Sequence, residues 1–203
     1  MVAVHGWQRG REQIRPSKDA DILVNVRAVT DGTTRVSRAL LDRGFELEGI
    51  SPEGIGHRFI GKGVRMDILG PDGVGVHTRL GTVPGAHTVA VPGGTQALQR
   101  TQDVAARSRT SPGKLPIPTI LGAILVKVRA IDVDDQPHAQ RRDVAFLLSL
   151  VDDPDPLVAD LKSSERNWLR RHPSFGDPTE DCYRGLAEAS DAAIVYRRLT
   201  GDS

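Results

Sequence analysis

The sequence predicts an α+β fold: a small mixed β-sheet in the first half and a bundle of helices in the second. Three observations carry this. Up to about residue 115 the chain runs in short, glycine-broken stretches of alternating polar and apolar residues. From Pro118 onward the apolar residues recur at helical spacing. Between the two, residues 101–118 are polar and hold Pro112, Pro116 and Pro118, which reads as a connection. The expected organisation is a sheet domain over 1–100, a linker over 101–117 and a helical domain over 118–203.

Residues 20–27 alternate, with Ile22, Val24 and Val26 on one face and Asp19, Asp21, Leu23 and Asn25 on the other, the period of a strand with one buried side. In 31–45, Val36, Ala39 and Leu40 share a helical stripe, Thr33 or Thr34 can cap its start, and Gly44 stands where a left-handed cap would end it. Residues 45–50 restart as a strand. Residues 57–60 and 64–69 read as a hairpin about Gly61-Lys62-Gly63, with Val64, Met66 and Ile68 toward the core. Residues 87–91 give a further short strand. In the second half, helices are expected from Pro118 through Asp132, over 138–151, as a short pair over 154–162 and 163–171, and over 179–199.

Composition narrows the function classes. The chain has 203 residues with 27 Lys and Arg against 26 Asp and Glu, a formal charge of +1, so it is not polybasic as a whole. Its one cysteine, Cys182, forbids an intrachain disulfide and suits a reducing compartment. No apolar run approaches the roughly 20 residues of a membrane span, and the N-terminal stretch lacks the apolar core of a signal peptide. These features predict a cytoplasmic protein.

The chemistry-bearing residues begin at Asp19 and Asp21. Two residues apart at a strand start, they project to one side of a sheet. Two carboxylates so placed repel unless a cation lies between them, and Mg2+ prefers oxygen ligands and phosphate. A solvated strand start with two ordinary acids is the other reading. Asp67 has the phase opposite to Met66 and Ile68, so on a neighbouring strand it would complete three acids on one face; pairing with Arg65 is its alternative. Lys127 lies on a largely apolar helix and needs either water or an anion such as a triphosphate.

Taken in order, Ser17-Lys18-Asp19-Ala20-Asp21, an apolar strand, a helix, Gly44-Phe45, His57-Arg58 and Met66-Asp67-Ile68-Leu69, then Lys127 in a helix and Arg141-Arg142-Asp143 leading into another, the chain resembles the nucleotidyltransferase superfamily. Within it, the chain is similar to the AbiEii-type toxins of bacterial toxin–antitoxin and abortive-infection systems. The resemblance implies transfer of a nucleoside monophosphate from a nucleoside triphosphate to an RNA (transfer RNA among the acceptors) or protein, with Mg2+ as cofactor and a cognate antitoxin as partner. By the same resemblance Asp19, Asp21 and Asp67 would hold metal, with Asp67 helping to activate the acceptor hydroxyl. Ser17 and Lys18 would approach the phosphates, Lys127 and Arg142 would neutralise their charge, and Asp143 would orient a basic partner or the nucleotide. The family's opening helix and Gly-Gly turn have no counterpart before His5-Gly6, and Phe146 stands where many relatives carry a further acid. Either the given start lies past that segment of the family or the chain is a copy shortened at its N-terminus, and a non-catalytic nucleotide-, RNA- or protein-binding member of the same fold is the alternative function. A phosphotransferase using the same acids is a third.

Other signals are weaker. The glycine pairs at 54/56, 61/63 and 73/75 do not open a helix after a strand, as a dinucleotide loop would, and suit turns. The histidines lack zinc-site spacing. Lys162, Arg166, Arg170 and Arg171 with Trp168 form one basic patch, and Arg100, Arg107, Arg109 and Lys114 another. Each is either a solvated surface or a phosphate contact for RNA. Trp7 is either core packing or a shelf for a nucleobase.

Overall fold

The structure is a computed structural model that describes residues 1–12, 19–75, 78, 80–107 and 111–202. In chain order its elements are α1 (Val2–Trp7), β1 (Asp19–Leu23), α2 (Gly32–Leu41), β2 (Glu46–Leu47), β3 (Arg58–Gly61), β4 (Val64–Pro71), β5 (Ala90–Val91), α3 (Gly94–Gln99), β6 (Thr101–Arg107), β7 (Pro112–Pro118), α4 (Ile120–Ile131), α5 (Pro137–Leu148), α6 (Asp155–Asp160), α7 (Ser163–Arg170) and α8 (Ala189–Thr200), with 3-10 turns at Pro173–Gly176 and Asp181–Tyr183. The α+β class is as the sequence predicts. Among the described residues no helix is long and apolar enough to cross a membrane.

The chain divides into two compact units, one over Ser17–Leu98 and one that joins Met1–Pro16 to Gln99–Ser203. This revises the expected boundaries of 1–100, 101–117 and 118–203 in two places. The opening helix α1 belongs with the helical unit: His5 is buried and its Nε2–H donates to the Pro118 carbonyl at 2.9 Å. The expected linker is an antiparallel ribbon of β6 and β7. Its prolines suit a ribbon as well as a linker, because on an edge strand proline is tolerated where no ladder bond is lost.

The Ser17–Leu98 unit is a mixed sheet of order β1-β4-β3-β2. β1 runs parallel to β4, β3 is antiparallel to both β4 and β2, and β5 lies beside the last residues of β4. Its apolar side presents Phe59 and Ile68, both fully buried, with Ile22 and Met66 beside them. Val36 and Leu40 of α2, with Val24, Val26 and Leu80, complete that core. Each such side chain contributes about 1.5–3 kcal/mol on burial. Val64, expected inward, is 39% exposed because it lies at the hairpin mouth. The strand expected over 45–50 shrinks to Glu46–Leu47, and the one expected over 87–91 to Ala90–Val91.

The β3–β4 turn sets the register of everything after it. Gly61 pairs with Val64, leaving Lys62 and Gly63 as the two loop residues, both at positive φ (54° and 74°). That is a type I′ turn, whose twist matches the flanking strands. Gly44, at φ 80°, ends α2 as expected.

In the other unit α4 starts at Thr119, whose hydroxyl accepts from the Gly122 N–H. α4 and α5 bury Ala123, Ile124, Leu125, Val144, Leu147 and Leu148 completely, and α7 and α8 close the core with Leu169, Tyr196 and Leu199. The Tyr196 hydroxyl donates to Leu169 O at 2.8 Å, and burial pushes its pKa up to about 12. Buried Arg100 forks onto Glu165 at 2.8 and 3.0 Å and onto Asp160 at 2.7 Å. Burial opposes its charge, but these carboxylates outweigh that and hold its pKa above the ordinary value. The helix expected over 179–199 is continuous only from Ala189, since Asp181–Tyr183 forms a separate turn and Gly185 takes a φ of 85°.

Two stability predictions follow from these contacts. Lys62 is the one non-glycine residue at positive φ among those described. Lys62→Asn should raise stability by about 0.5–1 kcal/mol, since asparagine tolerates the left-handed region that lysine does not; urea midpoints of the two proteins would measure it. Burial depresses the pKa of His5 and, second, of His172. An unfolded histidine takes up a proton near pH 6.5 that these folded residues resist, so stability should be full above that pH and fall as the solution is acidified through it. Melting curves at pH 7.5 and 5.5 should show a smaller acid loss for His5→Gln, which can keep the bond to Pro118 without titrating.

Candidate functional site

β1 and β4 are parallel in a register that sets Asp19 opposite Arg65 and Asp21 opposite Asp67. Partners in such a ladder project to the same side, and residues two apart along a strand do likewise. Asp19, Asp21 and Asp67 therefore share the face opposite the apolar core. Neighbouring strands lie roughly 5 Å apart and alternate residues roughly 6.5 Å apart, so the three backbones bring their carboxylates into one small area. Asp19 and Asp21 are exposed, while Asp67 is 9% exposed.

Asp67 is held from the next strand. Arg58 is its antiparallel partner. The Arg58 guanidinium donates from Nε to Oδ1 at 3.0 Å and from Nη2 to Oδ2 at 2.9 Å, a two-pronged bond of the stronger kind. That hydrogen bond raises the Arg58 pKa above its ordinary value, with the Asp67, Glu48 and Asp19 charges acting in the same direction and partial burial against them. Glu48 approaches Arg58 at 3.6 Å and Arg65 at 4.0 Å, Arg65 approaches Asp19 at 3.7 Å, and His57 Nε2 lies 3.9 Å from Asp67. The face thus carries four carboxylates interleaved with two guanidinium groups. A shallow depression of about 310 Å3 opens beside it, lined by Glu48, Ile50, Ser51, Ile55, His57 and Arg58.

As a donor set the three aspartates suit Mg2+: all are carboxylates and all lie on one side of the sheet. As arranged, Asp67 gives both oxygens to Arg58, and among the described residues no three His, Cys, Asp or Glu side chains are grouped as a metal ion would need. Asp67 would join Asp19 and Asp21 around a cation only by loosening the Arg58 fork. Arg65 was the alternative partner expected for Asp67; the guanidinium that holds it is Arg58, which sequence spacing alone did not single out. The two-residue turn was the available signal: with Gly61 opposite Val64, counting outward brings Arg58 opposite Asp67.

Ser17 and Lys18 lie outside the described residues. Lys127, Arg142 and Asp143 belong to the other unit. There Lys127 Nζ meets Asp143 Oδ2 at 2.8 Å and donates to Gln140 Oε1 at 2.8 Å, and Gln140 in turn donates to Asp134. The Lys127 and Asp143 side chains are 16% and 6% exposed. The costly ammonium on an apolar helix is thereby matched by an internal carboxylate. Arg142 is half-exposed, 3.7 Å from Asp181. Phe146 is buried in the core, where its ring meets the Arg11 guanidinium at 5.9 Å.

The basic patches resolve in part into structural contacts. Arg166 donates to Leu199 O and Arg170 to Thr200 O, so both cap the C-terminal carbonyls of α8, where positive charge is favourable. Trp168 lies under the Arg129 guanidinium, 5.0 Å from the ring centre. Arg100 is buried and Arg109 lies outside the described residues. Arg107, Lys114, Lys162 and Arg171 are exposed, as is Trp7 at 66%, at the end of α1, which excludes core packing for it within the described residues. Compared with protein-family models, with curated proteins and with solved structures, the chain matches none.

The Lys127–Asp143 pair generates a prediction. Removing one partner takes the opposite charge away from a buried ion, so Lys127→Met or Asp143→Leu should each cost about 3 kcal/mol, while the double replacement should cost much less than their sum. Chemical denaturation of the four proteins closes this cycle.

Proposed function

We propose that this chain is a magnesium-dependent nucleotidyltransferase that moves a nucleoside monophosphate from a nucleoside triphosphate onto a hydroxyl of RNA, with transfer RNA as the acceptor class its family resemblance favours. The observation that carries the reading is the register of β1 against β4, with Asp21 opposite Asp67 and Asp19 on the same side. Three acids on one face of two adjacent strands support such a reaction better than a lone Asp-x-Asp does. The order of motifs along the chain extends the reading to a cytoplasmic toxin held in check by an antitoxin.

In the reaction the acceptor oxygen attacks the α-phosphorus, the bond to the bridging oxygen of the β-phosphate breaks, pyrophosphate leaves, and the hydroxyl proton passes to a carboxylate. A bound Mg2+ would supply charge neutralisation on the triphosphate and a lowered pKa at the attacking hydroxyl. Asp19 and Asp21 would hold it, being exposed and accessible. Asp67 would take the proton once its carboxylate turns from Arg58. Arg58 and Arg65 are the guanidinium groups of the same face that could receive phosphate oxygens.

One observation favours the alternative of a non-catalytic binder: the Arg58 fork occupies both oxygens of Asp67. Incubation of the purified protein with Mg2+, labelled nucleoside triphosphates and total RNA separates the two. Transfer of label to RNA is expected, with Asp21→Ala and Asp19→Ala each lowering it by at least about a hundredfold. Because both side chains are exposed, their melting curves should stay close to that of the parent, within about 0.5 kcal/mol. Label transfer that ignores Asp21→Ala would sink the reading. Calorimetry showing nucleotide binding with no turnover would establish the binder instead.

A further inference from the structure

β6 and β7 pair in full from Thr101 opposite Pro118 to Arg107 opposite Pro112. Just beyond, the Thr119 N–H donates to the Arg100 carbonyl, which makes that pair a hydrogen-bonded one. Antiparallel pairs alternate between bonded and non-bonded. Gln102, Val104 and Ala106 therefore bond across the ribbon to Ile117, Leu115 and Gly113, while the N–H and C=O groups of Asp103, Ala105 and Arg107 point away from β7. Proline placement independently gives the same phase: Pro112, Pro116 and Pro118 all fall on positions that lose no ribbon bond.

The two edges are thus unlike. On β7 the outward positions are 112, 114, 116 and 118, and of these only Lys114 has an N–H to offer. That edge is closed to strand addition. β6 has no proline, Asp103, Ala105 and Arg107 are all exposed, and among the described residues β6 is paired on one side alone. A two-stranded ribbon is marginal by itself, and an open edge is a template for another strand.

We propose that the outer edge of β6 pairs with β6 of a second copy of this chain, antiparallel about a two-fold axis at Ala105. In that register Ala105 faces its own equivalent, and Asp103 and Arg107 each face the other's equivalent across the axis. The outward N–H and C=O groups of all three residues then find partners, forming a continuous four-stranded sheet from two ribbons. Two oppositely charged pairs lie side by side on one face, and Val104 meets Ala106 on the other. Centring the axis on Asp103 or on Arg107 instead would set like charges against each other, which disfavours those registers. The four-residue spacing of one acid and one base, with alanine midway, makes a second copy a better match than an unrelated extended peptide.

Sedimentation equilibrium of the full chain tests this. A concentration-dependent dimer is expected. Asp103→Arg alone and Arg107→Asp alone should each weaken association by about tenfold through facing like charges, and the two combined should restore it, because the pairs are re-formed with signs exchanged. Ala105→Pro, which removes one outward N–H and no ribbon bond, should yield a monomer with the parent's circular dichroism and melting temperature. Should that variant fail to fold, the charge-exchange series still decides. A chain that stays monomeric at its highest soluble concentration, or a dimer that ignores the charge variants, would overturn the proposal.

Discussion

A slip of one residue in β4 would carry Asp67 to the apolar side of the sheet and Ile68 to the charged side, because side chains alternate with a period of two. Everything on the charged face depends on that slip not occurring. Two constraints prevent it. The type I′ turn at Lys62-Gly63 locks β4 to β3, and burial of Phe59, Met66 and Ile68 against α2 would be forfeited by any odd shift. With β4 so placed, its parallel ladder to β1 brings Asp21 opposite Asp67, and its antiparallel ladder to β3 brings Arg58 to the same carboxylate.

The charged face is built to tolerate its own acids. Four carboxylates on a few residues of sheet would repel one another, and Arg58 and Arg65 stand among them at ion-pair distance. A divalent cation could meet the same electrostatic need. This competition between guanidinium and metal for Asp67 is the physical difference between the catalytic and the binding-only reading: both use the same residues, and they diverge on whether the Arg58 fork opens. In the other unit the corresponding problem, an ammonium on an apolar helix, is met internally by Asp143 and Gln140.

Much of this was legible in the sequence. The alternation of residues 19–26 placed both acids on the side away from Ile22, and the phase of Asp67 against Met66 and Ile68 placed it likewise. The Gly61-Lys62-Gly63 hairpin was legible from turn chemistry, as was the left-handed Gly44 at the end of α2. Less legible were segments whose local signal is shared by two structures. Prolines at 112, 116 and 118 suit a linker and a ribbon edge equally well until the pairing phase is known. Apolar spacing over 179–199 suits one long helix, but Gly185 and the turn at Asp181–Tyr183 divide it.

By itself the sequence determined which residues are acidic, which face of its own strand each occupies, and where the tight turns fall, because these rest on local periodicity and on backbone preferences of single residues. Only the tertiary structure decided that β1 lies beside β4 rather than another strand, that Asp67 belongs to Arg58 rather than Arg65, and that Lys127 is answered by Asp143. Those outcomes depend on contacts between residues distant along the chain, selected by which apolar faces can be buried together, and no local pattern encodes that choice.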